Sequence, residues 1–313
     1  MIWIMRMRWR ATNLANVFAL FVGRKPIREI LDSMSLNKRI LIFSAVIILA
    51  IPLVGILYYK KTHVRYYAPI PPKPELTLTI IPGWNLRQVA DYLVKQGITS
   101  STDEVYNLIG KLAVDYRRTG ALLPRVSNTS VASYRPDYVS YEGLLAPETY
   151  RVFKDASLLD VIRKLIDQRD KEIDAVMWED IKNSGHNFFE ILTMASLLEE
   201  EVQSPADKAI VSDILWRRYK NNWALQLDSS VHYVVNKTGN VFTTNKERGF
   251  DSLWNTYKYP GLPLGPIANP GLASIKAAIY PEKNAYWYFL TGKDGTVYYA
   301  KSLEEHNYNK KRL

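Results

Sequence analysis

Between Ile40 and Tyr59 the chain runs for twenty residues, ILIFSAVIILAIPLVGILYY, without one charged side chain. A run like this leaves few folds open. In hydrocarbon every backbone N–H and C=O must find a partner inside the segment, and a helix achieves that alone. At about 1.5 Å per residue such a helix reaches about 30 Å, the depth of a bilayer core. Lys38 and Arg39 precede the run, Lys60 and Lys61 follow it, and Tyr58 and Tyr59 suit the interface. The expectation is one transmembrane helix over 40–59. The larger basic count on its N-terminal side favours an inside N-terminus and an exported C-terminal bulk. No small-x-small site closes the run, so an uncleaved anchor is expected rather than a signal peptide.

The net charge of +10 over 313 residues suggests nucleic acid at first sight. Its placement argues against that partner. Residues 1–39 hold eight Lys and Arg against Glu29 and Asp32, so six of the ten excess charges form a basic tail beside the apolar run. Residues 1–33 precede a second complete start, Met34-Ser-Leu-Asn-Lys-Arg, and read as a disordered cytoplasmic extension or an upstream mis-start. With no cysteine, disulfides, thiolate metal sites and cysteine nucleophiles are all excluded. The four histidines, His63, His186, His232 and His306, have no metal-ligand spacing, and no Gly-rich phosphate loop occurs. No metal and no cofactor is expected. Carboxylates, hydroxyls and amides must carry the chemistry.

Behind the apolar run, 60–75 reads as a linker whose Pro69–Pro74 stretch is a stiff extended spacer. Leu76–Ile81 has strand character and Pro82-Gly83 a turn. Asn85 caps a helix over Leu86–Gln96, Gly97 stops it, and helical character resumes over Thr102–Tyr116. This makes a small β-turn-helix module over 76–135, with a second domain over 136–313. That domain opens with a helix over Leu158–Val176. An Asn187/Glu190 capping box starts an apolar helix, and Ser204-Pro205 starts another that ends at Arg217, Arg218 and Lys220. From Asn221 onward short strands, turns and loops are expected, with a Pro- and Gly-rich loop over Tyr259–Gly271. Tyr286–Leu290 and Val297–Ala300 around Lys293-Asp294-Gly295 read as a hairpin. The fold class is α+β.

The segment Ala195-Ser-Leu-Leu-Glu199-Glu200-Glu201 sets three carboxylates at the end of the apolar helix. At about 100° per residue Glu199 lies between Phe188 and Leu192 on the apolar face, Glu200 points nearly opposite, and Glu201 falls at the margin. Desolvation should therefore favour the neutral form of Glu199, and a neutral carboxylic acid is what a general acid requires. The same run also reads as solvated surface, or as a structural glutamate bonded to nearby backbone.

Five segments stand in order: Glu142-Gly-Leu-Leu-Ala-Pro147-Glu148-Thr-Tyr150; Ala195 to Glu201; Leu225-Gln226-Leu-Asp228-Ser-Ser-Val; Asn255-Thr-Tyr257 with Gly261-Leu-Pro263 to Gly271; and Tyr286–Leu290 leading to His306-Asn307. From residue 76 to 313 the chain resembles the MltG/YceG-like family of membrane-anchored endolytic peptidoglycan transglycosylases. Leu145-Ala146 replaces a usually aromatic pair, and Glu148 stands where aspartate is common. The resemblance implies a LysM-like module over 76–135, suited to N-acetylated glycans, before a catalytic domain. It places the catalytic role on Glu199, substrate positioning on Gln226 and Asp228, and support of the site on Glu201. Glu148, Tyr150, Tyr257, Asn255 and Asn269 are further substrate-binding candidates. Four of these have a milder reading: the tyrosines as core anchors, Asn255 as a loop closure, Asn269 as a turn. His306 reads as structural.

The implied reaction has Glu199 protonate the glycosidic oxygen between N-acetylmuramic acid and N-acetylglucosamine. As carboxylate it then takes the proton of the muramoyl C6 hydroxyl as that oxygen attacks C1, leaving a 1,6-anhydro end. The implied partners are peptidoglycan glycan strands, the inner membrane that holds the anchor, and glycan polymerases of cell-wall synthesis. Two competing readings remain at this level. One is a non-catalytic glycan-binding scaffold; the other is a muramidase in which Asp228 or Glu201 serves as a second carboxylate.

Overall fold

The computed structural model describes residues 29–30, 32–62, 72–237 and 243–312. Most of the basic tail and residues 63–71, where the linker and the start of its proline stretch were expected, lie outside the described residues. The chain forms two compact units, 1–71 and 72–313.

In the first unit, α1 (Leu36–Thr62) is a single 27-residue helix. It is the one described helix long and apolar enough to cross a bilayer, by length and composition. It extends past the expected 40–59 at both ends, because Lys38, Arg39, Lys60 and Lys61 are as compatible with helix as the apolar run between them.

The second unit opens with β1 (Glu75–Thr79), antiparallel to β2 (Thr149–Phe153), with Leu76 opposite Val152 and Leu78 opposite Tyr150. Side chains alternate across a strand, so Leu78, Tyr150 and Val152 turn inward together. The partner of β1 thus lies beyond residue 135, and the 76–135 segment shares its sheet with the 136–313 segment. Between the strands run α2 (Leu86–Lys95), α3 (Thr102–Ile109), a 3₁₀ turn at Tyr116–Arg118 and the short α4 (Ser130–Ser133). Asn85 caps α2 with a full capping box, in which its side chain accepts from Gln88 N–H and the Gln88 side chain accepts from Asn85 N–H.

The single helix expected over Leu158–Val176 is two, α5 (Leu158–Glu172) and α6 (Ala175–Ser184). Asp174 breaks it by capping the Met177 N–H at 2.8 Å, an N-cap that outcompetes continuation. Next come α7 (Phe188–Glu201), opened by the Asn187/Glu190 capping box, and α8 (Pro205–Lys220), capped by Ser204. Where short strands and loops were expected beyond Asn221 there are also, among the described residues, four helices: α9 (Asp228–Val235), α10 (Asn245–Arg248), α11 (Leu272–Ile279) and α12 (Leu303–Arg312). The hairpin β3 (Tyr288–Thr291) and β4 (Val297–Ala300) forms as expected.

Helix α7 is the axis of the unit. α11 lies along it, α8 and α9 pack beside it, and Phe188, Phe189 and Ile191–Leu198 are all buried. The helix is therefore apolar all round rather than on one stripe. Its carboxylates begin where the core stops, so what surrounds each of them depends on which neighbouring element reaches past Leu198.

Candidate active site

Glu199 does not sit among apolar side chains. Lys208 of α8 brings its Nζ to 3.1 Å from Oε2; the side chains of Lys208 and Glu199 are only 6% and 12% exposed. The Gly271 N–H donates to the same oxygen at 3.1 Å, and the Ser274 hydroxyl also donates to it. Gly271 is the N-cap of α11, so the carboxylate also meets the positive end of that helix. This corrects the expectation of an apolar setting for Glu199. The helix wheel saw α7 alone, whereas the polar groups arrive from α8 and α11. Among the described residues no hydrogen bond is made to Oε1.

Glu200 points elsewhere. Its side chain is reached by solvent and lies against the Pro82-Gly83 turn, where a Cβ on Gly83 would sit 3.0 Å from Oε1. The surrounding protein mass, then the charges of Glu201 and Glu199, push its pKa up to about 7. Glu201 accepts from the Ser229 hydroxyl at 2.6 Å. Burial raises its pKa, and Asp228 adds to this. Asp228 opens α9 and holds Thr243 Oγ1 and Tyr257 Oη on one oxygen, both at 2.6 Å, with the Arg248 guanidinium at 3.7 Å. Arg248 also lies over the Tyr257 ring, 4.8 Å from its centroid.

Gln226 is exposed and carries φ +57°, a left-handed conformation that costs a non-glycine residue. Two bonds hold it there: Gln226 N–H to the Thr256 carbonyl at 3.2 Å and Leu227 N–H to Thr256 Oγ1 at 3.0 Å. The Asp228, Tyr257, Glu201 and Gln226 candidates thus converge at the start of α9.

The remaining candidates take structural positions. Asn269 is fully buried. Its Oδ1 accepts from Leu145 N–H at 3.0 Å, and its Nδ2 donates to the Trp84 carbonyl at 2.9 Å and to Glu142 at 3.2 Å. Asn255 closes the 248–257 loop, donating to the Arg248 and Phe250 carbonyls at 2.9 and 2.8 Å and accepting from Tyr257 N–H. Tyr150 faces the core and gives its hydroxyl to the Ala146 carbonyl at 2.6 Å, so its ring offers no face to a sugar. Glu148 is exposed at the start of β2 and accepts from the Thr149 N–H.

Participants not anticipated include Lys208, Ser274, Glu200 and Glu142. Lys208 had a signal, since a lysine in the first turn of a helix opposes the dipole and asks for a partner. Glu142 is buried and accepts from the Leu86 N–H on both oxygens, from Tyr233 Oη and from Asn269. Burial pushes its pKa up to about 8. It ties the start of α2 to α9 and to the loop before α11.

This arrangement defines an α+β domain with a clustered set of carboxylates at the end of its central helix, on a chain that also carries a long apolar helix. The chain belongs to the YceG-like family, whose family model matches residues 62–312. It is 34% identical over 243 residues to the endolytic murein transglycosylase of Bacillus subtilis (strain 168), covering 75% of this chain and 64% of that protein. It is 28% identical over 257 residues to the protein of the same name from Streptococcus pneumoniae R6, covering 76% of this chain and 45% of that one. A crystal structure of a YceG-like protein from Listeria monocytogenes superposes with a TM-score of 0.61 at 32% identity, over 77% of this chain and 76% of that one. The chain therefore spans less of the curated relatives than they span of it.

Proposed function

We propose that the chain is an endolytic murein transglycosylase, cutting within peptidoglycan glycan strands to leave 1,6-anhydromuramoyl ends. The observation that carries this reading is the asymmetry of the Glu199 carboxylate. Three donors fix Oε2, and Oε1 is left as the oxygen that exchanges a proton with substrate. One carboxyl suffices for the reaction. It gives its proton to the leaving glycosidic oxygen as the bond to muramoyl C1 breaks, and it takes the C6 hydroxyl proton as that oxygen closes on C1. No water enters, and the carboxyl ends in the protonation state in which it began. Gln226, Asp228 and Tyr257 form the bank of the site that positions the sugar, and Glu201 braces the end of α7. The B. subtilis and S. pneumoniae relatives, both endolytic murein transglycosylases by name, support the same chemistry. With α1 as a single-pass anchor in the inner membrane, the domain acts on newly polymerised strands beside glycan polymerases, and an internal cut there limits strand length.

The test is Glu199→Gln in the full-length, detergent-solubilised protein on uncrosslinked glycan. Anhydro-ended product should fall by at least about 10²-fold, the usual scale for losing a general acid–base. Undiminished product would remove Glu199 from the mechanism. Products heavier by one water would instead assign a hydrolase. The buried Lys208–Glu199 pair favours one further reading, a glycan-binding scaffold in which Glu199 only joins α7 to α8 and α11. That reading expects glycan binding without product from the unmodified chain.

A further inference from the structure

Arg169 is the largest of the fully buried side chains, and no step of the proposed reaction uses it. It projects from α5, with Nη1 donating to Glu172 at 2.5 Å and Nη2 to the Pro270 carbonyl at 2.6 Å. That carbonyl and the Gly271 N–H are the two ends of one peptide group, and the N–H end donates to Glu199 Oε2 at 3.1 Å. We propose that Arg169 is a positioning residue for Glu199, acting through the Pro270–Gly271 peptide.

A cation on a carbonyl polarises the amide, so its N–H becomes a stronger donor to whatever it faces. The peptide is also held at both ends, its carbonyl by Arg169 Nη2 at 2.6 Å and its N–H by Glu199 Oε2 at 3.1 Å. Moreover, a buried guanidinium is costly, and a carbonyl needing only one donor could be satisfied by a neutral group. Arginine stays charged at any working pH, so the polarisation is permanent. The charged groups facing Glu199 are Lys208 from α8, Glu200 from α7 itself, and Arg169 from α5 behind the peptide. Glu172 and the Tyr150 hydroxyl in turn face Arg169.

The inference rests on the proposed role of Glu199, and its sign is fixed. Removing the cation weakens the N–H donor that Glu199 Oε2 accepts. In full-length Arg169→Met the alkaline limb of kcat/KM for anhydro-product formation should move up by roughly half a pH unit or more. In Glu172→Gln, where Arg169 loses its counter-charge, the limb should move down. A limb that stays in place in both while only the amplitude falls would reduce Arg169 to a structural residue. If Arg169→Met does not fold, Glu172→Gln decides alone: a downward displacement supports the relay and an unmoved limb overturns it. An active Glu199→Gln protein would sink the underlying reading. An inactive Glu199→Gln protein together with unmoved limbs in Arg169→Met and Glu172→Gln sinks only this inference.

Discussion

At the scale of single residues the Glu199–Lys208 pair dominates the site. Two polar groups this well buried lose hydration that their mutual bond repays only while both are present. Glu199→Gln and Lys208→Met should each lower the unfolding midpoint, by about 3 kcal/mol or more in stability. The double variant should be more stable than the sum of the two single losses implies. Thermal unfolding of the four proteins measures this, and strictly additive losses would show that the pair is not coupled. The position of Glu199 as a functional candidate was legible from motif order. Its surroundings were not, because Lys208, Gly271 and Ser274 lie on other elements and nothing within α7 encodes them. Tyr150, Asn255 and Asn269 show the complementary failure. A polar side chain beside a turn reads the same whether it meets ligand or protein, and here backbone takes up Tyr150 and Asn255 while Asn269 bonds both backbone and Glu142.

At the scale of elements, three of the capped helix starts were legible, although the caps at Asp174 and Thr244 went unread. α2, α7 and α8 begin at Asn85, Asn187 and Ser204, whose side chains bond the first free N–H groups, and these starts could be read locally. α9 and α11 follow Leu227 and Gly271, neither of which makes a side-chain cap bond, so their helicity comes from packing and was hidden among turn residues. The β1–β2 pairing was also hidden, because an antiparallel partner some seventy residues away leaves no local trace. The loops between elements carry their own constraints. Gly143 stands at φ +84°, and a Cβ there would lie 2.7 Å from Pro266 Cγ. Gly143→Ala therefore combines backbone strain with overpacking and should cost about 2–4 kcal/mol, read as a lowered urea midpoint. A neutral substitution would mean that the loop before α11 can shift without harm.

At the scale of the whole molecule the raised carboxyls set the pH response. Glu142 at about 8 and Glu200 at about 7 lie above the ordinary 4.5, and Glu201 and Glu172 are raised by burial too. A carboxyl whose folded value is raised contributes stability that is complete below its unfolded value and is lost as pH rises through the folded one. Stability should therefore decline between about pH 4.5 and 8, and Glu142→Gln should flatten the upper part of that slope. Unfolding midpoints across this range test it; a rise toward pH 8 would contradict the cost of charging these groups in the folded chain. The bonds that complete the site also join distant stretches of chain. Gly271 and Ser274 reach back 72 and 75 residues to Glu199, and Asn269 reaches back 185 to Trp84. No early-emerging fragment can assemble such a constellation, and loop closure over those spans is slow. During synthesis Glu199 must therefore wait, only partly held, until the loop ahead of α11 has been delivered.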